Sequence, residues 1–194
     1  MIQNSEIFIQ HLKKYGRIEP QHIPGILSFF ERASYRKKES LMTAGQVCQE
    51  HFFVESGCLR MYFIDEKGME HTTQFAIENW WITDHLSFLN QSRTGFYIQS
   101  VEKSIVLFLN YSRQNELLDR YPEMEKYFRI IYQRAYAAAQ MKEMYLQDFS
   151  REELFNHFYD NFPEFVQRVP QYMLASYLGI TPEYLSEIRN KKRS

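Results

Sequence analysis

Two cysteines, Cys48 and Cys58, are all that this 194-residue chain contains. They are too few for a four-cysteine iron–sulfur cluster or structural zinc site, and their apolar neighbours read as those of buried thiols. No apolar run approaches the roughly 20 residues needed to cross a bilayer. Residues 1–16 have no long apolar core behind a basic end and no small-residue cleavage site, so the chain is expected in the cytoplasm with no membrane partner. A phosphate-cradling glycine loop, a nucleophile elbow and a metal-binding histidine pair are also missing. The acidic pairs, such as Glu152-Glu153 and Glu123-x-Glu125, lie in amphipathic helical contexts where carboxylates face water. The expectation is therefore of no enzyme activity, no metal and no resident cofactor. A net charge of −1 also lacks the overall basic excess that a nucleic-acid binder usually presents.

What is present is enough apolar material, 44% hydrophobic and 16% aromatic, for one domain or two small ones. Residues 2–32 read as short helices, with Ile7, Phe8 and Leu12 at helical spacing and a break at residues 16–20. Residues 33–110 read as strands. The runs EHFFVESG, CLRMYFIDEKG, MEHTTQFAIEN, GFYIQSVEKS and IVLFLN are separated by turns such as Glu55-Ser56-Gly57 and Asp65-Glu66-Lys67-Gly68. Short strands at this spacing make a small barrel or roll. Beyond residue 110 the pattern is helical, with Ser112 placed to cap a first helix and Pro122 to begin a long one. The fold class is α+β: a roll with N-terminal helices over residues 1–111, a long-helix region over 112–148 and a helical C-terminal domain over 149–194.

Along the long helix Met124, Phe128, Ile131, Ala135, Ala138 and Tyr145 recur at steps of four and three, interrupted by Lys142. Such a seam packs either on a second copy of the chain or on the roll of its own subunit. The small residues Ala135, Ala137, Ala138 and Ala139 favour close helix–helix approach. Phe128, Ile131, Ala135, Ala138 and Tyr145 are thus the expected dimer contacts.

The segment QYMLASYLGITPEYLSEIRN, residues 171–190, has the internal spacing of a DNA-binding helix-turn-helix. Leu174, Ala175 and Leu178 share one face of a first helix, with Ala175 small enough for a steep crossing. Gly179 suits the left-handed turn, Thr181 can cap a second helix and Pro182 fits its first position. Ile180, Leu185 and Ile188 then face inward. Thr181, Pro182, Glu183, Tyr184, Ser186, Glu187 and Asn190 face outward toward a groove, with Glu183 able to accept from cytosine N4. Gln171 and Tyr172 open the first helix beside them. Arg189, Lys191, Lys192 and Arg193 concentrate positive charge at the end of the recognition helix, where it can grip phosphates. Two such modules on a twofold axis read half-sites about one helical turn apart, so double-stranded DNA and a second copy are the expected partners.

In this order of parts, with Lys38-Glu39-x-Leu41-x-x-x-Gly45, Phe53-x-x-x-Gly57-x-x-Arg60 and the terminal motif, the chain resembles the Crp/Fnr superfamily of bacterial transcription regulators. The resemblance implies a sensor roll, dimerisation through the long helix and promoter binding by the C-terminal domain. RNA polymerase is a further candidate partner. Nucleotide-binding members carry a Gly-Glu pair followed by an Arg-Ser/Thr-Ala run. Here the corresponding stretches are Trp81-Ile82-Thr83-Asp84 and Ser92-Arg93-Thr94-Gly95: Asp84 stands for the glutamate, Thr83 replaces the glycine and Arg93 is displaced. Arg60, Trp81, Thr83, Asp84, Arg93 and Thr94 are the candidate effector pocket, and cyclic AMP is not the expected effector. The alternative is a cupin-like metal-dependent enzyme or other small-molecule-binding barrel with a helical extension. It rests on barrel architecture alone: Gly45 and His51 match the start of a cupin metal motif, but Phe53 stands where that motif wants its second histidine.

Overall fold

The computed structural model describes residues 5–193. Residues 1–4, where the first helical segment was expected to begin, residue 194, and the side chains of Lys192 and Arg193 lie outside the described residues. Helix α1, Glu6–Tyr15, starts where Ser5 Oγ accepts from the Phe8 N–H, and it stops at Gly16. Helix α2, Ile23–Leu27, leads into the roll. Strands β1 (Glu31–Tyr35), β2 (Ser40–Met42), β3 (Glu50–Ser56), β4 (Leu59–Ile64), β5 (Glu70–Ala76), β6 (Trp81–Ile82), β7 (Tyr97–Ser100) and β8 (Ser104–Asn110) follow, with helix α3 (His85–Asn90) between β6 and β7. They form two antiparallel sheets ordered β1-β8-β3-β6 and β2-β7-β4-β5.

All five strand runs expected from sequence contain a strand. The turn between β3 and β4 needs its glycine: Gly57 has φ 99°, and a Cβ there would stand 2.3 Å from Ser104 Oγ. The five runs left out β2, β6 and α3, and for the last two the physical reason is plain. Strand β6 has two residues, too few to show any period, and α3 is set by a cap, Asp84 Oδ1 accepting from the Ser87 N–H at 3.2 Å. Strand β1 begins at Glu31, inside the segment expected to be helical, because β8 offers it a continuous partner.

Alternation along β3 builds two cores. Phe52 and Val54 enter the space between the sheets with Leu59, Ile82, Ile98 and Val106. His51 and Phe53 point the other way, so both faces of the strand are buried. The outer face is covered by α1 and by helix α5, Glu123–Asp148, which follows α4, Tyr111–Arg120. Asn110 caps α4 by accepting from the Arg113 N–H; Ser112, the expected cap, instead donates its hydroxyl to the same Asn110 oxygen.

This outer core holds Phe8, Leu12, Phe53, Trp81, Tyr127 and Phe128. A polar relay runs through it. Trp81 Nε1, a donor only, gives its proton to Tyr127 Oη at 2.9 Å, and the Tyr127 hydroxyl shares a second hydrogen bond of 2.8 Å with His11 Nδ1. Burial first, then Lys14 and Arg134, pulls the His11 pKa down to about 4, so the imidazole stays neutral.

Four helices close the chain: α6 (Arg151–Asn161), α7 (Pro163–Arg168), α8 (Gln171–Leu178) and α9 (Pro182–Arg193). A capping box starts α6, with Ser150 and Glu153 satisfying each other's backbone N–H. A third core gathers Leu154, Phe155, Val166, Leu174, Leu185 and Ile188. Each fully buried side chain of this size contributes roughly 1.5–3 kcal/mol.

Candidate nucleic-acid interface

Helices α8 and α9 are joined by a turn whose geometry follows from three adjacent residues. Gly179 adopts φ 66°, ψ 35°, the left-handed conformation that costs a residue with a Cβ. Ile180 N–H donates back to the Ala175 carbonyl, and Thr181 Oγ1 accepts from the Tyr184 N–H at 3.2 Å to cap α9. Leu185 and Ile188 are sealed beneath α9 with Leu174, Ala175 and Leu178. The opposite face is open: Thr181, Pro182, Glu183, Tyr184, Ser186, Glu187, Asn190 and Lys191 are exposed, and Arg189 is half-buried. Gln171 and Tyr172 are exposed at the start of α8. Lys192, expected at phosphate, has its side chain outside the described residues.

This pair of helices is tied to the roll by contacts that sequence reading did not anticipate. Ser176 Oγ accepts from the Thr72 N–H at 2.9 Å and donates to the Glu70 carbonyl at 2.8 Å, occupying the free edge of β5. Arg168 forks between Glu78 and Glu102 with four hydrogen bonds of 2.6–3.1 Å. Its pKa is raised further, chiefly by the Glu78 bonds. Lys142 Nζ donates to the Thr73 carbonyl at 2.8 Å and lies 3.8 Å from the centre of the Tyr177 ring. Nothing local in the sequence marks these pairs, since each joins residues far apart in the chain.

The long helix corrects an expectation. A helix turns about 100° per residue, so Met124, Phe128, Ile131, Ala135, Ala138, Lys142 and Tyr145 do share a face. That face turns toward the chain's own body. Phe128 and Ile131 are 2% and 7% exposed within the outer core, so they offer no surface to a partner. Tyr145 packs on the C-terminal core, and Ala135 and Ala138 line a groove. The opposite face carries Ala137, Met141 and Met144, exposed and without cover, the methionines at 43% and 47%.

The expected effector residues only partly come together. Thr83, Asp84, Arg93 and Thr94 meet at the α3 corner, but each is committed to the fold. Thr83 Oγ1 donates to the Glu50 carbonyl at 2.8 Å. Asp84 uses one oxygen to cap α3 and the other to accept from Thr94 Oγ1 at 2.8 Å. Burial raises the Asp84 pKa, but bonds from Ser87 and Thr94 outweigh it and leave the carboxyl below its usual value. Arg93 reaches the Gly45 carbonyl. Arg60 and Trp81 do not belong to this corner. Alternation puts Leu59 in the roll and sends Arg60 outward, where Gln99, Glu70 and the Tyr62 ring hold it. Trp81 fills the outer core. Both Asp84 oxygens thus carry a bond from within the corner, and Arg93 is turned to a backbone carbonyl and not to Asp84.

His51 likewise points away from the roll interior, toward Trp81, Phe128 and Tyr132, which removes the one motif behind a cupin metal site. Among the described residues no three His, Cys, Asp or Glu side chains cluster as metal ligands, and no helix is long and apolar enough to cross a membrane. Burial pushes the Cys58 thiol up to about 12 and the Cys48 thiol upward too, so neither is poised as a thiolate.

Residues 32–121 match the model of the cyclic nucleotide-binding domain. FixK2 from Bradyrhizobium japonicum superposes with a TM-score of 0.72 at 14% identity, over 84% of this chain and 83% of its own. The c-di-GMP responsive global regulator CLP of Xanthomonas campestris gives 0.69 at 16%, over 90% and 92%. The catabolite activator protein of Thermus thermophilus gives 0.57 at 19%, over 90% and 84%. The chain shares its fold with these three proteins. No curated protein matches it in sequence. The segment matched by the domain model runs from β1 through α4, and α8 and α9 lie beyond it.

Proposed function

We propose that this chain is a dimeric, sequence-specific DNA-binding transcription regulator whose effector is not a cyclic nucleotide. The observation that carries the reading is the division of α9: Leu185 and Ile188 are sealed inside while Thr181, Glu183, Tyr184, Ser186 and Glu187 stand free on the opposite face. A surface helix with its polar face unencumbered can enter a major groove about 12 Å wide. Glu183 is the first candidate for base reading, and Lys191 for phosphate.

The dimer contact in this reading moves from the expected seam to the opposite face of α5, where Ala137, Met141 and Met144 are exposed at helical spacing. A second copy related by a twofold axis covers that strip and sets two recognition helices about one DNA turn apart. The bound Asp84 and Arg93 argue against a cyclic phosphate, whose buried charge needs matching donors.

Selection from a random duplex pool tests the proposal. Recovery of an inverted repeat with half-sites about one helical turn (~34 Å) apart is expected without added nucleotide. Enrichment of no site, or enrichment only with cyclic AMP present, would refute it.

A further inference from the structure

A groove of about 1050 Å³ runs along the inward face of α5, away from the Ala137–Met144 strip. Its walls come from several elements between residues 73 and 177: Phe88 of α3, Trp80 beside β6, Phe75 of β5, Phe158 and Phe165 of α6 and α7, and Tyr177 of α8. Its floor is α5 itself, kept open by Ala135, Ala138 and Ala139. Larger side chains at these positions would fill it. The volume is at the upper end of that seen for small-molecule sites, roughly 300–1,000 Å³. None of Asp84, Arg93 and Thr94 lines it.

Lys142 and Glu143 both line this groove, and Lys142 sits in its aromatic part beside Tyr177. Its ammonium holds a backbone carbonyl and a ring face, and among the described residues no carboxylate pairs with it. A half-buried ammonium with no carboxylate in direct contact gains from an incoming anion. Burial pulls the Lys142 pKa down to about 8, against a smaller opposing effect of Glu143. At the far end Tyr132 lines the groove, ten residues earlier on the same helix and so about 15 Å away.

We infer that the groove binds an apolar monocarboxylate, acyl or aromatic and about ten carbons long, with its carboxylate on Lys142 Nζ and its tail running toward Tyr132. Because the Lys142 ammonium also touches Tyr177 on α8, a carboxylate that draws it away acts directly on the first helix of the helix-turn-helix. The role of effector rests on the regulator reading above, whereas the binding itself does not.

The test is calorimetric titration of the DNA-free protein with decanoate and phenylbutyrate, each beside its neutral alcohol. The acids are expected to saturate one site per chain and to bind about tenfold more tightly than the alcohols, a ratio that Lys142→Met abolishes. Filling the groove with Ala138→Trp should remove binding of acid and alcohol alike, with far-ultraviolet circular dichroism and the sedimentation coefficient unchanged. Equal affinity for acid and alcohol, or acid binding indifferent to Lys142→Met, overturns the proposal. Conversion of the Ala138→Trp protein from dimer to monomer also overturns it, since the groove would then belong to a second copy. If Lys142→Met fails to fold, Lys142→Arg replaces it and must retain the acid preference. No saturable binding by any probe rejects the site while leaving the DNA reading intact.

Discussion

The two halves of α5 carry the same kind of apolar spacing and meet opposite fates. From Met124 to Ile131 the stripe is sealed beneath α1 and β3, fixed by aromatic contacts and by the relay through Trp81, Tyr127 and His11. From Ala135 to Leu146 the same face borders an open groove, and its back, at Ala137, Met141 and Met144, is uncovered as well. A periodic stripe therefore says that a helix has an inside; what fills that inside depends on elements distant in the chain. The first half holds the fold together. The second half has surfaces to spare, and those are where the proposed partner and ligand are placed.

The largest expected effect breaks the closed half. Ile131→Asp buries a carboxylate among aromatic rings and should cost on the order of 4 kcal/mol, read as a loss of the urea midpoint. Retained stability with a shift to monomers would instead restore the original seam as the dimer contact.

The second effect comes from protons. His11 has a folded-state pKa near 4, below its ordinary 6.5, so the stability owed to its neutral form is complete above 6.5 and is lost as pH falls from there toward 4. His51, fully buried and also held below its ordinary value by burial and His85, acts in the same direction. The loss attributable to His11 reaches about 3 kcal/mol, measurable by urea unfolding at neutral and acid pH. His11→Gln should flatten this dependence, and greater stability in acid would contradict the account.

Smaller in stability, though not in assembly, is the open half. Met141→Asp with Met144→Asp should change the unfolding free energy of the protomer by only about 0.5 kcal/mol per site. It should nevertheless convert dimers to monomers by light scattering and weaken DNA binding. A double variant that stays dimeric places the interface elsewhere. The smallest effect is at the end of α9: Lys191→Gln should lower the salt slope of DNA binding by about one unit on every sequence. An unchanged slope takes Lys191 off the phosphate.

How much was legible in the sequence follows from how local each signal is. The geometry of the α8–α9 pair was readable because its small residue, glycine, cap and inward apolar positions lie within twenty consecutive residues, and Leu174, Gly179, Thr181, Leu185 and Ile188 do what their side chains require. The roll's main strands were readable from alternation, which also contained the information that Arg60 points outward, opposite to Leu59. Asp84 and Thr94 were singled out through the family resemblance, but their bond to each other was invisible across ten residues of intervening chain. Arg168 gave no signal at all, because its partners Glu102 and Glu78 are 66 and 90 residues away. That Phe128 and Ile131 are covered by their own chain could not be read from spacing, which names a face and cannot name its cover.

The most direct test of the central claim is an anisotropy titration of the selected duplex with nucleotide-free protein and with its Glu183→Ala variant. The account predicts saturation at two protomers per duplex, strong salt dependence, and a loss of about 1–3 kcal/mol per altered base contact in the variant, with weaker discrimination at one symmetric pair of positions. Binding indifferent to duplex sequence, an unaffected variant, or binding that appears only with cyclic AMP would contradict it.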